Sequence, residues 1–329
     1  MKKCVIENTF CAKGEVTSAS MKMLESYVSP VTATVVNKLA DASVKMERTG
    51  LLKCLQAVVS GKVPFAVVLD NGRSFRMAEE GESLYRFKPT YGTVSRYGVV
   101  AHTSSADCVA VAAKKVDDIA SAMELIAGLD ESDSTSLPDF WSVPVKKAVK
   151  IGVISDFDVD AATEKYIEKL KKAGYEVGEV AMPVVAYANA IDMVIGSAEY
   201  ASNTDKMDGV RYGLQNPKAQ TLAEMYGSSR AKGFSSAEKL KVMFGDYVVS
   251  HDCYEEFFVR AARARTLLVQ AFDDALKQYD VLLSPLCCAN AATAPSLVGL
   301  PVLLTPENVQ LIGSRCSDRE LLRLAGELK

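Results

Sequence analysis

The chain has 329 residues, of which 49% are hydrophobic and 24% charged, a balance typical of a globular protein with a sizeable buried core. Its formal net charge of −3 excludes a global basic surface, so we expect no direct nucleic-acid binding by this chain alone. With only two histidines, His102 and His251, the sequence argues against a histidine-rich metal site and against the common Ser-His and Cys-His hydrolases.

The eight cysteines show no CxxC pair and no regular spacing. In a chain of this length, that pattern favours reduced thiols and a cytoplasmic location over a disulfide framework. The longest apolar run, 63–69, contains Pro64 and is too short to span a bilayer, so we expect no contact with a membrane.

Alternating strand and helix patterns predict an α/β fold. The continuous apolar run 65–69 is typical of a buried strand. An apolar stripe with helical spacing predicts one helix over 108–128, where Gly128 would end it. The acidic, serine-rich stretch 129–138 is predicted to be a loop.

A β-α-β unit is predicted next. The strand Lys150–Ile154 is followed by Asp160, which can cap a helix that runs to about Lys172, and 175–180 alternates like a second strand. Further helices are predicted over 192–202, from Ser235 or Ser236 towards residue 250, and over 255–279, and a short strand over 281–283. No internal repeat or linker divides the chain.

A segment with the composition of a catalytic loop follows the first buried strand. Residues 70–76 read Asp-Asn-Gly-Arg-Ser-Phe-Arg. Gly72 would allow close backbone approach, and Ser74 just past a buried strand is a candidate nucleophile. The alternative is a surface loop that contains a serine by chance.

The following segment, 88–98, reads Lys-Pro-Thr-Tyr-Gly-Thr-Val-Ser-Arg-Tyr-Gly and resembles the amidase signature family, in particular the A subunit of aspartyl/glutamyl-tRNA amidotransferases. The blocks 208–213 and 279–285 also resemble that family, in the same order. The resemblance implies the amidase signature fold, a mixed central sheet covered by helices. It implies one domain over 1–329, trimmed by internal deletions before 50 and after 285.

In that family, hydrolysis uses a nucleophilic serine, a second serine joined through a cis peptide bond, and a neutral lysine as base. The resemblance places the nucleophile at Ser74, the lysine position at Glu7 and the second serine at Gly50. Two of the three catalytic groups are therefore expected to be missing, and Ser74 is expected to be vestigial. No cofactor and no metal is expected.

The family loop reads Asp-Thr-Gly-Gly-Ser-Ile-Arg, so Arg73 replaces a glycine that helps to form the oxyanion hole. The substrate loop is expected to comprise Asp70, Asn71, Gly72, Arg73 and Arg76.

The leading hypothesis is a degenerate amidotransferase A-subunit-like protein without glutaminase or amidase activity, which acts as a binding or scaffolding component with a protein partner or by self-association. A second hypothesis is an active amide hydrolase or amidotransferase component, in which Ser74 is the nucleophile and Glu7 or an unexpected lysine is the base. This hypothesis requires Ser74 to lie within hydrogen-bond reach of Glu7, Lys13 or Lys88. A third is that a partner supplies the missing groups.

Overall fold

The structure is a computed structural model that describes residues 3–7, 16–17, 27–28, 33–79, 83–138, 141, 149–210 and 212–328. The strands are β1 (Lys3–Glu7), β2 (Val16–Thr17), β3 (Tyr27–Val28), β4 (Lys45–Thr49), β5 (Phe65–Asn71), β6 (Tyr85–Lys88), β7 (Asp107–Ala113), β8 (Lys150–Ile154), β9 (Glu176–Val180), β10 (Val281–Pro285), β11 (Val302–Leu304) and β12 (Val309–Gly313). The α-helices are α1 (Thr34–Asp41), α2 (Leu51–Val59), α3 (Val116–Ile126), α4 (Ala161–Lys172), α5 (Ala188–Thr204), α6 (Leu222–Gly233), α7 (Ser236–Val248), α8 (Arg260–Gln278), α9 (Ala289–Val298) and α10 (Asp318–Glu327).

Ten strands form one mixed sheet in the order β4-β1-β5-β7-β6-β11-β12-β10-β8-β9, and β2 pairs with β3 separately. Parallel neighbours lie at both ends of the sheet: β4, β1 and β5 at one end, and β10, β8 and β9 at the other. The strands between them pair in antiparallel fashion. The predicted α/β class and mixed central sheet are confirmed.

Helices cover both faces of the sheet because alternate strand residues point to opposite sides. Cys4 and Ile6 of β1 belong to the core cluster that α1, α3, α4 and α10 complete. Val5, between them, packs with residues of α2 in a second cluster. Residues of β10, β11 and β12 pack with α5, α8 and α9 in a third. Among the described residues, no helix has the length and apolarity that crossing a membrane requires.

The predicted β-α-β unit is confirmed in each part. Strands β8 and β9 are parallel neighbours, and the side chain of Asp160 accepts a hydrogen bond of 2.7 Å from the Thr163 N–H at the start of α4. The run predicted as a buried strand is β5, which continues two residues further than expected, to Asn71. Both results depend on local signals, a cap and an apolar run.

The prediction of one helix over 108–128 is wrong in its first half. Residues Asp107–Ala113 form β7, and the helix α3 begins only at Val116. All seven residues of β7 are buried, because the strand lies between β5 and β6 and has helices on both faces. A strand buried on both faces has no alternation, so its apolar residues also fit a helical stripe.

The later helices that were predicted are present, and the one predicted over 192–202 extends from 188 to 204 as α5. Ser235, not Ser236, caps α7, and it forms a reciprocal capping box with Glu238. The predicted helix over 255–279 consists of a π-helical turn, Glu255–Val259, that leads directly into α8. Strand β10 and the loop over 129–138 are also as predicted.

Candidate functional site

Three segments that are distant in sequence meet at one edge of the sheet. Strands β4, β1 and β5 are parallel neighbours, so their carboxyl ends lie together. Glu7 at the end of β1 is in register with Thr49 at the end of β4, and Gly50 is the N-cap of α2. The loop with Ser74 begins where β5 ends. Ligands of open α/β sheets commonly bind at such an edge.

The Glu7 side chain contacts the base of the Ser74 loop. Its Oε2 accepts a hydrogen bond of 2.8 Å from the backbone N–H of Leu69. The pKa of Glu7 is raised from its ordinary value of 4.5 to about 7, chiefly by burial. The hydrogen bond from Leu69 lowers this pKa, and the negative charge of Asp70 adds to the increase. Glu7 therefore exchanges its proton near neutral pH.

Asp70 and Arg76 anchor the loop below the surface. Their side chains are 0% exposed, and Arg76 Nε lies 2.8 Å from Asp70 Oδ2. The remaining guanidinium nitrogens donate to the Gly72 carbonyl at 2.6 Å, to Ser296 Oγ on α9 at 2.6 Å and to Gln310 Oε1 on β12 at 2.9 Å. Because these contacts are all internal, Arg76 is a buried structural hub that ties the loop to α9 and β12.

Ser74 itself is exposed, and its Oγ donates a short hydrogen bond to Asn71 Oδ1 within the same loop. No hydrogen bond joins Ser74 to either Glu7 or Lys88 among the described residues. Lys88 is buried and donates to the carbonyl of Pro89 at 3.1 Å. Lys13 lies outside the described residues. The contact that the second hypothesis requires is therefore not formed by Glu7 or by Lys88.

The side chain of Arg73 crosses from the loop to α5 and α9. Its Nη1 donates a short hydrogen bond to Asn189 Oδ1 and lies 3.3 Å from Thr293 Oγ1 and 3.7 Å from Asp192 Oδ2. Gly72 before it adopts a φ of +118°, which favours glycine, and a Cβ there would lie 3.5 Å from Asp192 Oδ1. The loop is therefore held against α5.

Five polar residues of this region were not predicted from the sequence: Asn189, Asp192, Thr293, Ser296 and Gln310. Gln310 had a signal, because it interrupts the apolar strand Val309–Gly313 and is buried. The others lie on helices more than 100 residues from the loop, where neither spacing nor composition marks them. Among the described residues, no group of three His, Cys, Asp or Glu is placed to hold a metal ion.

Comparison with known proteins identifies relatives of this fold and sequence. The A subunit of glutamyl-tRNA(Gln) amidotransferase from Symbiobacterium thermophilum is 31% identical over a gapped alignment of 392 positions. The alignment covers 97% of this chain and 80% of that protein. The corresponding protein of Agathobacter rectalis is 34% identical over 337 residues, covering 89% and 66%. The crystal structure of the Thermotoga maritima counterpart matches with a TM-score of 0.72 at 25% identity and covers 98% and 81% of the two chains.

A similar fold is also found in more distant proteins. Kluyveromyces lactis allophanate hydrolase matches with a TM-score of 0.79 at 18% identity, over 99% of this chain and 61% of that one. The sequence model of the amidase family matches residues 56–322, the greater part of the chain. Since this match and the similarity to the amidotransferase proteins extend over most of its length, the chain belongs to the amidase family.

Proposed function

We propose that this chain is a catalytically degenerate relative of the amidotransferase A subunit, which serves as a binding or scaffolding component rather than as a glutaminase or amidase. The observation that carries the proposal is the position of Glu7. A carboxylate stands where the family resemblance places the lysine base, and it is hydrogen-bonded to the Leu69 N–H instead of to Ser74.

The other two catalytic positions support the same proposal. Gly50 has no hydroxyl group to relay a proton, and its position caps α2 directly after β4. The Ser74 hydroxyl is hydrogen-bonded to Asn71 in its own loop. Arg73, at the glycine position of the family, is held by α5 and α9, which fixes a side chain where the family needs backbone amides to approach a substrate.

Partners and a trimmed single domain are part of the proposal. The relatives are named as one subunit of an amidotransferase, which supports a protein partner for this chain, and self-association is the alternative. The alignment to the Symbiobacterium protein extends over 392 residues, although this chain has 329, so it contains gaps that support internal deletions. We expect a cytoplasmic location, because the spacing of the cysteines favours reduced thiols over disulfides.

A second candidate function has two observations in its favour. The pKa of Glu7 is about 7, as required of a general base at neutral pH, and Glu7, Gly50 and the loop of Ser74 lie at one edge of the sheet. An active hydrolase would then need the Ser74 hydroxyl to turn from Asn71 towards Glu7 or towards a bridging water.

The test is a comparison of wild-type protein with Ser74→Ala. Both are incubated with glutamine and with a series of small amides, ammonia release is measured, and a fluorophosphonate probe reports serine nucleophilicity. An amidase of known activity is the positive control. We expect no ammonia release above buffer background from either protein and no labelling of Ser74.

Turnover or labelling that disappears in Ser74→Ala would contradict the proposal and support the second candidate. Purification under gentle conditions, followed by native mass spectrometry, tests the scaffolding role, and we expect a stable complex with another protein or with a second copy. If a complex is recovered, the same ammonia assay on it tests whether the partner supplies the missing groups.

A further inference from the structure

The guanidinium group of Arg73 lies in a polar cradle that other elements build. The cradle consists of Asn189 and Asp192 on α5 and Thr293 on α9, and each presents an oxygen atom to Arg73 Nη1. An amide oxygen, a carboxylate and a hydroxyl around one cationic nitrogen form an acceptor set that suits a guanidinium or ammonium ion.

The cradle is held in place without help from Arg73. The backbone N–H of Asn189 donates a hydrogen bond of 2.8 Å to Asn290 Oδ1, which joins the start of α5 to α9. On its other side, Asp192 packs against Gly196, where an added Cβ would lie 3.1 Å from Asp192 Oδ1. These contacts hold the backbone at Asn189 and one side of the Asp192 carboxylate, and neither of them involves Arg73.

A positive charge beside the cradle stabilises the ionised form of Asp192. The Asp192 side chain is 19% exposed and that of Arg73 34% exposed, so the pair is partly buried but remains accessible to water. Burial raises the pKa of Asp192, and the positive charges of Arg73 and Lys241 counteract this effect. Removing Arg73 leaves a mostly buried carboxylate without the guanidinium group that lies 3.7 Å from its Oδ2.

We propose that Asn189, Asp192 and Thr293 form a binding site for alkylguanidinium or alkylammonium groups, and that Arg73 fills this cation site from within the same chain. Arg73 reaches this site from the loop position next to Ser74. A ligand with a short cationic arm binds there only when the arginine side chain leaves. The proposal is independent of whether Ser74 retains catalysis.

Chemical rescue of Arg73→Ala tests this assignment. The substitution removes the side chain beyond Cβ, and ethylguanidinium replaces the atoms removed. Its binding is measured by titration calorimetry and by the shift in melting temperature, in buffers matched in ionic strength with sodium chloride. We expect Arg73→Ala to melt below wild type, and ethylguanidinium to bind it at least about tenfold more tightly than wild type and to raise its melting temperature.

Three controls separate this site from nonspecific effects. Ethylurea, which is neutral and nearly isosteric, should not bind Arg73→Ala. The double variant Arg73→Ala/Asp192→Asn should lose the binding of ethylguanidinium. Arg323→Ala is the matched variant and should not bind ethylguanidinium. Arg323 forms an ion pair at 3.0 Å with Glu327 of the same helix, α10, and the two side chains are 36% and 40% exposed.

The proposal is overturned if Arg73→Ala binds ethylguanidinium no better than wild type or Arg323→Ala does, or if ethylurea binds equally well. Should Arg73→Ala not fold, Arg73→Met keeps the aliphatic stem, and the same titrations are made with the guanidinium ion. Retention of binding after Asp192→Asn would equally contradict the assignment of the site.

Discussion

The carboxylate of Glu7 is joined to the backbone N–H of Leu69 by a hydrogen bond of 2.8 Å that crosses from β1 to the neighbouring strand β5. This bond fixes an ionisable side chain beneath the loop of Ser74. The resemblance to the amidase family places a lysine at the same position. Because burial raises the Glu7 pKa to about 7, the charge at this edge of the sheet changes near neutral pH. The stability of the protein should report that change.

Replacing Glu7 with glutamine should stabilise the protein at pH 8. The folded state holds the Glu7 proton up to about pH 7, whereas the unfolded chain releases it near 4.5, so the wild type loses stability as pH rises through this window. Glutamine keeps an oxygen for the Leu69 N–H and has no charge. We expect a gain of about 2 kcal/mol at pH 8, since one pKa unit corresponds to about 1.4 kcal/mol and Glu7 is partly solvated.

The measurement is urea unfolding of both proteins at pH 4.5 and pH 8. The gain should shrink at pH 4.5, where wild-type Glu7 is protonated in the folded state. Glu131→Gln, which makes the same chemical change at an exposed position in a loop, is the control for the substitution itself and should leave the unfolding midpoint close to that of wild type. An equal effect of Glu7→Gln at both pH values would show that Glu7 does not titrate near neutrality.

Breaking the buried Asp70–Arg76 pair should be strongly destabilising. Arg76→Met leaves the Asp70 carboxylate buried without its 2.8 Å partner and removes the bonds to Ser296 and Gln310. We expect a loss of about 3–5 kcal/mol in the free energy of unfolding, measured in urea. The double variant Asp70→Asn/Arg76→Met should lose less than the sum of the two single changes, because it leaves no buried charge unpaired.

A matched control is the exposed pair of Lys62 with Glu47, whose atoms lie at the same distance of 2.8 Å. Lys62→Met should leave the unfolding midpoint close to that of wild type, because water screens the pair. If Arg76→Met were equally silent, Arg76 would not be the hub that its contacts indicate.

Close packing of two helices depends on Gly245 in α7. A Cβ at this position would lie 2.1 Å from the Ser197 carbonyl oxygen on α5, so the helices must separate to accept it. Gly245→Ala should lower stability by about 1–3 kcal/mol. Gly227→Ala, in α6 with no atom within 4 Å of the added Cβ, should instead be stabilising by about 0.5–1 kcal/mol. Thermal unfolding shows whether each variant is more or less stable than wild type. A Gly245→Ala variant as stable as wild type would disprove the close contact.

The N-cap of α7 provides a comparison between adjacent serines. Ser235→Ala removes the oxygen that accepts from the Glu238 N–H and with it half of the capping box, which should cost about 1 kcal/mol. Ser236→Ala changes the first residue inside the helix and should be near neutral. Equal losses from both substitutions in urea unfolding would contradict the cap.

Local sequence signals predicted those elements that a cap, a periodic face or an apolar run marks in the sequence. The strand pattern of Lys150–Ile154, the cap at Asp160 and the alternation after the helix were enough for β8, α4 and β9. The same kind of signal was misleading for β7. Its apolar residues fit a helical stripe equally well, since only the order of the sheet determines that both faces of the strand are buried.

The sequence by itself determined the family resemblance, the α/β class and the position of the Ser74 loop after a buried strand. The tertiary structure alone decided that Glu7 bonds Leu69, that Arg76 reaches Gln310 and that Arg73 lies against Asn189, 116 residues away. The physical reason is that these contacts depend on which strands become neighbours and how helices pack on them. Polar side chains that meet across such distances leave no period or spacing in the sequence.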